Sequence, residues 1–150
     1  MKTLRWATFL LLLASGFSFA QSKKVPVAVT HSGDDSVGEG IAFALKEAVR
    51  GSQSFRLVDD EVAPKQPRIV VHMVSIDTDE YPRQRGLSSS IATVIVFDSI
   101  ETPGFGIYLT MLVQYCGRDK IDPCAKTILP KIDREIEKLR TSWPALWKKL

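Results

Sequence analysis

Three β-strand patterns follow one another in the second half of the chain with no helical pattern between them, and this run limits the possible folds more than any other feature. Segment 68–76 is apolar at both odd and even positions, which is typical of a strand covered on both faces. Segment 89–97 follows it after a long polar loop, Asp77 to Leu87, and segment 105–115 follows after a tight connection at residues 101–104. Because strands that are joined without a crossover helix usually pair antiparallel, we predict a three-stranded meander.

The elements on either side predict that this meander belongs to a larger, mixed sheet. Segment 25–30 has the pattern of a first strand, and segment 55–59 has that of a short second strand. Between them Ser36 and Glu39 have capping-box spacing at the start of an amphipathic helix, and Asp122 begins a second helix. The order β-α-β-β-β-β-α predicts an α+β, two-layer domain with a mixed sheet of about five strands. We expect the first two strands to be parallel and both helices to lie on one face.

The first 20 residues have the three parts of an export signal. Lys2 and Arg5 precede an apolar run, and small residues, Ser18 and Ala20, occupy the −3 and −1 positions of a cleavage site. The apolar run is shorter than the ~20 residues that span a bilayer. We therefore expect cleavage near Ala20, a periplasmic or secreted protein, and one domain over residues 21–150 that ends in a short amphipathic tail.

The charge balance argues against a nucleic-acid partner. The chain has 20 Lys and Arg against 17 Asp and Glu, and Lys2 and Arg5 belong to the leader, so 18 basic residues remain and the net charge falls to +1. A nearly neutral surface lacks the basic footprint of nucleic-acid binding and is only weakly attracted to anionic membranes. No sequence motif indicates a cofactor or a metal, and we expect neither.

Cys116 and Cys124 are the two cysteines of the chain. An even number of cysteines in an exported protein favours a disulfide bond. A metal site needs more ligands than two thiolates, and both histidines are far away in the sequence. We predict a structural bridge between Cys116 and Cys124.

Two positions leave an enzymatic or ligand-binding alternative open. His31 lies in a polar loop with Ser32, Asp34 and Asp35 after the first strand, where ligands often bind in α/β sheets. His72 lies in the middle of the third strand. Adjacent side chains in one loop rarely form a catalytic set, so we interpret the loop as a polar turn at the helix start. The alternative is a small envelope hydrolase or small-ligand-binding protein that uses His31 or His72.

A surplus of apolar side chains on the predicted sheet points to a contact surface. With both helices on one face, the other face carries apolar residues of the last three strands, and either the tail or another chain is expected to cover it. Two arginines beside Tyr81 form a candidate charged patch. The candidate interface residues are Tyr108, Leu112, Trp143, Leu146, Trp147, Arg83 and Arg85.

The segments VPVAVT and DSVGEGIAFALKEAVRGSQSFRLVD, within residues 25–59, resemble the start of the amino-terminal domain of TolB. They are also similar to the curli secretion lipoprotein CsgG and to penicillin-binding-protein activator lipoproteins. The resemblance implies a non-enzymatic envelope domain that binds other proteins. This chain differs from them in its cysteine pair and in lacking a lipobox. We expect a non-catalytic binding or assembly module that contacts a protein partner or a second copy of itself.

Overall fold

The described part of the chain forms a five-stranded sheet and two long helices. The computed structural model describes residues 23–60, 66–79, 85–99, 106–148 and 150. Its elements are β1 (Val25–Ser32), α1 (Ser36–Gly51), β2 (Phe55–Leu57), β3 (Arg68–Asp77), β4 (Ser88–Asp98), β5 (Ile107–Gly117), a 3-10 turn (Arg118–Lys120), α2 (Ile121–Ser142) and α3 (Pro144–Trp147).

The strand order is β2-β1-β3-β4-β5. β1 runs parallel to both β2 and β3, whereas β3 with β4 and β4 with β5 are antiparallel. The parallel pairs require a crossover, which α1 supplies between β1 and β2, and the antiparallel pairs form the meander. The predicted α+β class and mixed sheet are confirmed.

The core lies between one face of the sheet, the inner face, and the two helices. Inward side chains of the strands meet apolar stripes on α1 and α2, and the largest of them are fully buried. They include Val27, Ile69, Ile91 and Ile95 from the sheet, Ile41 and Leu45 from α1, and Ile128 and Ile132 from α2. Because this one layer of contacts holds both helices on the same side, the opposite face of the sheet receives no helix from the described residues.

Asp35, rather than Ser36, caps α1. Its backbone is extended, with φ −111° and ψ 140°, and its side chain accepts a hydrogen bond from the Gly38 amide at 2.6 Å. Ser36 is the first residue of the helix and is exposed. The predicted Ser36–Glu39 capping box is therefore wrong. Aspartate is at least as good a cap as serine, and its negative charge also favours the helix N-terminus.

A bulge in β5 changes which residues face the helices. Ile95 pairs with Thr110, but the next residue of β4, Val96, pairs with Tyr108, so Leu109 is the extra residue. Beyond the bulge, Leu112 faces the helices and packs against the core. The prediction that Leu112 shares a face with Tyr108 is wrong, because a bulge shifts a strict alternation by one position. The outward residues there are Met111, Val113 and Tyr115.

Candidate functional site

The outer face of the sheet is uncovered over most of β3, β4 and β5. Cross-strand pairing arranges its side chains in rows, such as Val74–Ala92–Val113 and Ile76–Ser90–Tyr115. The prediction that the third strand is covered on both faces is wrong at this end, since Val74 and Ile76 are exposed. We call the following outward side chains the open face: His72, Val74, Ile76, Ser90, Ala92, Val94, Val96, Tyr108, Met111, Val113 and Tyr115.

The open face has the shape of a shallow trough between two ridges. On the outer strands its side chains are large, and Ile76, Val113 and Tyr115 are 68%, 63% and 67% exposed. On β4, which lies between them, Ser90 and Ala92 are small and half-buried between taller neighbours, whereas Val94 and Val96 farther along the strand are as large as Val74. Beside Ser90 and Ala92, the side chains of β3 and β5 therefore stand above a floor formed by β4.

The open face carries no carboxylate, ammonium or guanidinium group. Its one titratable imidazole is His72, whose Nδ1 lies 2.8 Å from the Thr30 hydroxyl. A general base is normally oriented by a second polar group and lies in a cleft, whereas His72 is exposed on a sheet surface. The hydrogen bond to Thr30 on the neighbouring strand holds the ring in place and leaves the face uncharged when the imidazole is neutral.

An ion-pair cluster closes one end of the open face. The Arg68 guanidinium contacts Asp98 at 3.2 Å and Asp60 at 3.1 Å, and it donates a hydrogen bond to the Asp59 carbonyl at 2.9 Å. Arg68 is only 7% exposed. Asp59 and Asp60, which follow β2, therefore lie beside the Arg68 side chain at the start of β3, and Val70, the next outward residue of this strand, is buried.

A disulfide bond joins Cys116, at the end of β5, to Cys124, in the first turns of α2. This is the bridge that the sequence predicts. Cys116 is buried on the inner face, so the bond fastens the start of α2 to the helix side of the sheet. It thereby helps to keep the outer face free of that helix.

The C-terminal tail lies on the helix side and does not cover the open face. Trp147 packs against the core and shares a groove with Val25, Phe55 and Ile136. The Arg140 guanidinium lies 5.9 Å from the centre of its ring. Of the two expected covers of the outer face, the tail or another chain, the described part of the tail therefore does not supply one.

The other predicted interface residues lie in different places. Trp143 is exposed at the end of α2. The side chain of Leu146 and the whole of Arg83 lie outside the described residues. Arg85 is exposed in the connection between β3 and β4, at the Ile76 end of the open face.

Acidic side chains in the β3–β4 connection satisfy backbone amides. Asp77 accepts hydrogen bonds from the amides of Asp79 and Gly86, at 2.9 and 2.6 Å. Asp79 accepts from the amide and the hydroxyl of Ser88, at 2.9 and 3.0 Å. These bonds shape the connection and occupy the carboxylate oxygens. Over the described residues no group of three or more His, Cys, Asp or Glu could hold a metal ion.

A buried polar cluster lies behind the sheet at the start of α1. Asp35 accepts hydrogen bonds from the hydroxyls of Ser75 and Ser89, in addition to the Gly38 amide. His31 Nε2 lies 2.6 Å from Ser75 Oγ. Burial alone would raise the pKa of the Asp35 carboxyl. The two hydroxyls, the amide and the charge on His31 outweigh burial and lower this pKa below its usual value.

The cluster contains serine, histidine and aspartate in an order that does not suit nucleophilic catalysis. A catalytic triad places the imidazole between the hydroxyl and the carboxylate. Here Ser75 lies between, and since its single proton goes to Asp35, His31 Nε2 must donate to Ser75. Ser75 is also only 3% exposed, out of reach of a substrate. The geometry is that of a satisfied structural network.

Sequence reasoning missed this network. The sequence interprets this loop as a polar turn at the helix start, and Asp35 does cap α1. Its burial, at 6% exposure, and its bonds to Ser75 and Ser89 are not predicted. A signal was present in Gly38, where an added Cβ would overlap the Ser75 side chain and lie 2.8 Å from His31 Nε2. Such a close approach explains the glycine in the first turn of a helix.

Two grooves open to solvent near β2. One, of about 380 Å³, is lined by the chain from Phe55 to Asp59 together with Lys24 and Arg50. The other, of about 540 Å³, contains Trp147 and Asp133, and burial raises the pKa of the Asp133 carboxyl. Both lie at the surface, whereas a small-ligand carrier would need an enclosed apolar pocket.

No helix within the described ranges is long and apolar enough to cross a membrane. No protein family and no curated protein matches the chain.

Several solved structures are similar to it at low identity. TolB from Acinetobacter baumannii aligns with 81% of this chain and 29% of its own length, at 9% identity and a TM-score of 0.47. The chain thus spans less than a third of TolB. A PelC dodecamer from Paraburkholderia phytofirmans aligns over 71% of this chain and 82% of its own, at 8% identity and a TM-score of 0.41. The hypothetical protein CT253 from Chlamydia trachomatis aligns over 62% and 72%, at 9% identity and a TM-score of 0.35.

Proposed function

We propose that this chain is an exported, non-catalytic binding and assembly module that acts through protein contacts made by the open face. The observation that carries the proposal is the exposed, uncharged apolar surface of β3, β4 and β5. Six of its side chains are at least half exposed: Val74, Ile76, Tyr108, Met111, Val113 and Tyr115. Together these six residues expose on the order of 700 Å² of polar and apolar surface, and the largest apolar patch on a typical monomer is ~300–600 Å².

The composition of this surface suits protein recognition. Tyrosine and methionine are enriched at protein interfaces, whereas lysine, glutamate and aspartate are depleted. The open face follows that pattern, with two tyrosines, one methionine and no charged residue other than the titratable His72. A membrane-surface site would instead combine apolar and basic side chains.

Export is the second part of the proposal. The leader pattern of residues 1–20 supports it, and so does the Cys116–Cys124 bond, because structural disulfides persist in oxidising compartments. Mass spectrometry of the protein recovered from the native envelope fraction is expected to find Gln21 as the first residue. An intact Met1 together with free thiols would contradict export.

Photo-crosslinking in the native cell tests the binding role. We expect a photoreactive amino acid at Val113 to form protein adducts, because this position is on a ridge of the open face. The matched control is Phe43, which is 64% exposed on α1, away from the open face. Equal adduct formation at both positions, or none at Val113, would contradict the proposed function.

The alternative is a small hydrolase or small-ligand-binding protein that uses His31 or His72. His31 bonds to Ser75, which is buried out of reach of a substrate. His72 bonds to the Thr30 hydroxyl on an exposed sheet surface rather than in a cleft, and the open face supplies no carboxylate beside it. The proposed function therefore assigns the cluster of His31, Ser75 and Asp35 to stability and the open face to binding.

A further inference from the structure

We propose that the partner of the open face is a second copy of this chain, packed face to face about a two-fold axis. The proposal rests on the proposed function and names its occupant. The shape, the charge and the area of the open face all fit a symmetric contact.

The trough and ridges of the open face are self-complementary. Ser90 and Ala92 form its floor, and the larger side chains of β5, such as Val113 and Tyr115, rise beside them. A two-fold axis that lies between the two sheets and runs parallel to the strands turns the open faces toward each other and lets the β5 ridge of each copy enter the β4 trough of the other. Such an isologous contact closes after two copies, because each copy uses the same patch. Sheets that pack face to face are separated by ~10 Å, which is the distance that interdigitated side chains fill.

The charge of the surface favours a copy of itself over a charged partner. Two identical charged patches repel each other, but the open face carries no formal charge when His72 is neutral. Two copies therefore meet without like-charge repulsion. A strongly acidic or basic partner would find no complementary group among these side chains.

The exposed area is close to what a stable dimer needs. The six most exposed side chains present on the order of 700 Å² on each copy, and a standard interface buries ~800 Å² per partner. The pairing would cover Ile76, Val113 and Tyr115 together. It would also shield from water six of the ten large hydrophobic residues that are exposed in the described chain.

Sedimentation velocity of the purified, leader-processed protein tests the inference. We expect a concentration-dependent dimer, which Val113→Lys weakens at least about tenfold in dissociation constant, because it places a charge in the contact. Phe43→Lys is the matched control and is expected to leave the dimer unchanged. Circular dichroism establishes that each variant is folded.

A second variant separates shape complementarity from general stickiness. Ala92→Phe makes the open face more apolar but fills the trough, so we expect it also to weaken the dimer about tenfold or more. Tighter association of Ala92→Phe would overturn the face-to-face arrangement. A dimer that is unaffected by either substitution would overturn it as well.

The outcomes also separate this inference from the proposed function. A strict monomer that still forms adducts with a different protein at Val113 in cells would overturn self-association and leave the binding role standing. A monomer that instead binds phosphatidylglycerol vesicles through Val113 would assign the face to lipid and overturn both. Adducts at Val113 with twice the mass of the chain support both.

Discussion

Replacing Asp35 with alanine is expected to destabilise the protein by about 3 kcal/mol. Loss of the helix cap on Gly38 costs about 1 kcal/mol. The substitution also leaves the fully buried Ser89 hydroxyl without its acceptor, at about 1–3 kcal/mol. The Ser75 hydroxyl keeps His31 as a hydrogen-bond partner, so the loss of its bond to Asp35 adds less to the destabilisation. Since domains of this size are stable by only ~5–15 kcal/mol, the loss is large.

Urea unfolding followed by circular dichroism measures this loss. Asp34→Ala is the matched control, because Asp34 is the adjacent aspartate and is exposed. It is expected to change the free energy of unfolding by less than ~0.5 kcal/mol. If Asp35→Ala and Asp34→Ala had the same midpoint and slope, the buried cluster would not contribute as described.

Other predictions follow from the same cluster and from the disulfide. The pKa of Asp35 is lower in the folded protein than its usual 3.8. The stability that the Asp35 carboxylate contributes is therefore fully present above pH 3.8 and is lost as the pH falls through the folded pKa. Acid titration of stability should therefore be shallower for Asp35→Asn than for the wild type, and parallel curves would contradict this. Reduction of the Cys116–Cys124 bond should lower the free energy of unfolding by about 2–3 kcal/mol. Urea unfolding with and without reductant measures this change, and an unchanged midpoint would contradict the prediction. Gly38→Ala should destabilise the protein, because the added Cβ would overlap the Ser75 side chain. Gly51→Ala should be neutral or stabilising, because nothing lies within 4 Å of the added Cβ. Thermal unfolding of the two variants is expected to show changes in stability of opposite sign.

The sequence predicts the order and type of the main elements because each one depends on local patterns. Apolar periodicity locates α1, and the both-parity run of β3 indicates a central strand. The turn signals between strands then make a meander the simplest connection. The mixed sheet follows from the single crossover.

The candidate site is predicted less completely, because it depends on pairing between strands. The surplus of apolar residues on the outer face is visible in the sequence, and Tyr108 lies there as expected. The bulge at Leu109 is not visible in the sequence. It turns Leu112 toward the helices and places Met111 and Val113 on the outer face. Whether an inserted residue bulges is decided by the partner strand β4, so no pattern within β5 alone reveals it.

Asp35 shows the same limit on the inner face. Its acceptor role depends on Ser75 and Ser89, which are 40 and 54 residues away in the chain. A turn-like composition around Asp35 is equally typical of an exposed loop. Only the tertiary contacts distinguish the two.

The parallel pairing of β1 with β3 constrains the order in which the chain can fold. Thr30 and His72, which are neighbours across this pair, are 42 residues apart, whereas β3 pairs with β4 and β4 with β5, each the next strand along the chain. As the polypeptide emerges from its amino terminus, β1 has only the three residues of β2 beside it until β3 arrives. Contacts between distant residues form slowly, because the intervening loop must first close. The first five residues of β1, all buried in the native state, therefore stay exposed to solvent until β3 is made. They form the segment of the nascent chain that a holding chaperone would shield.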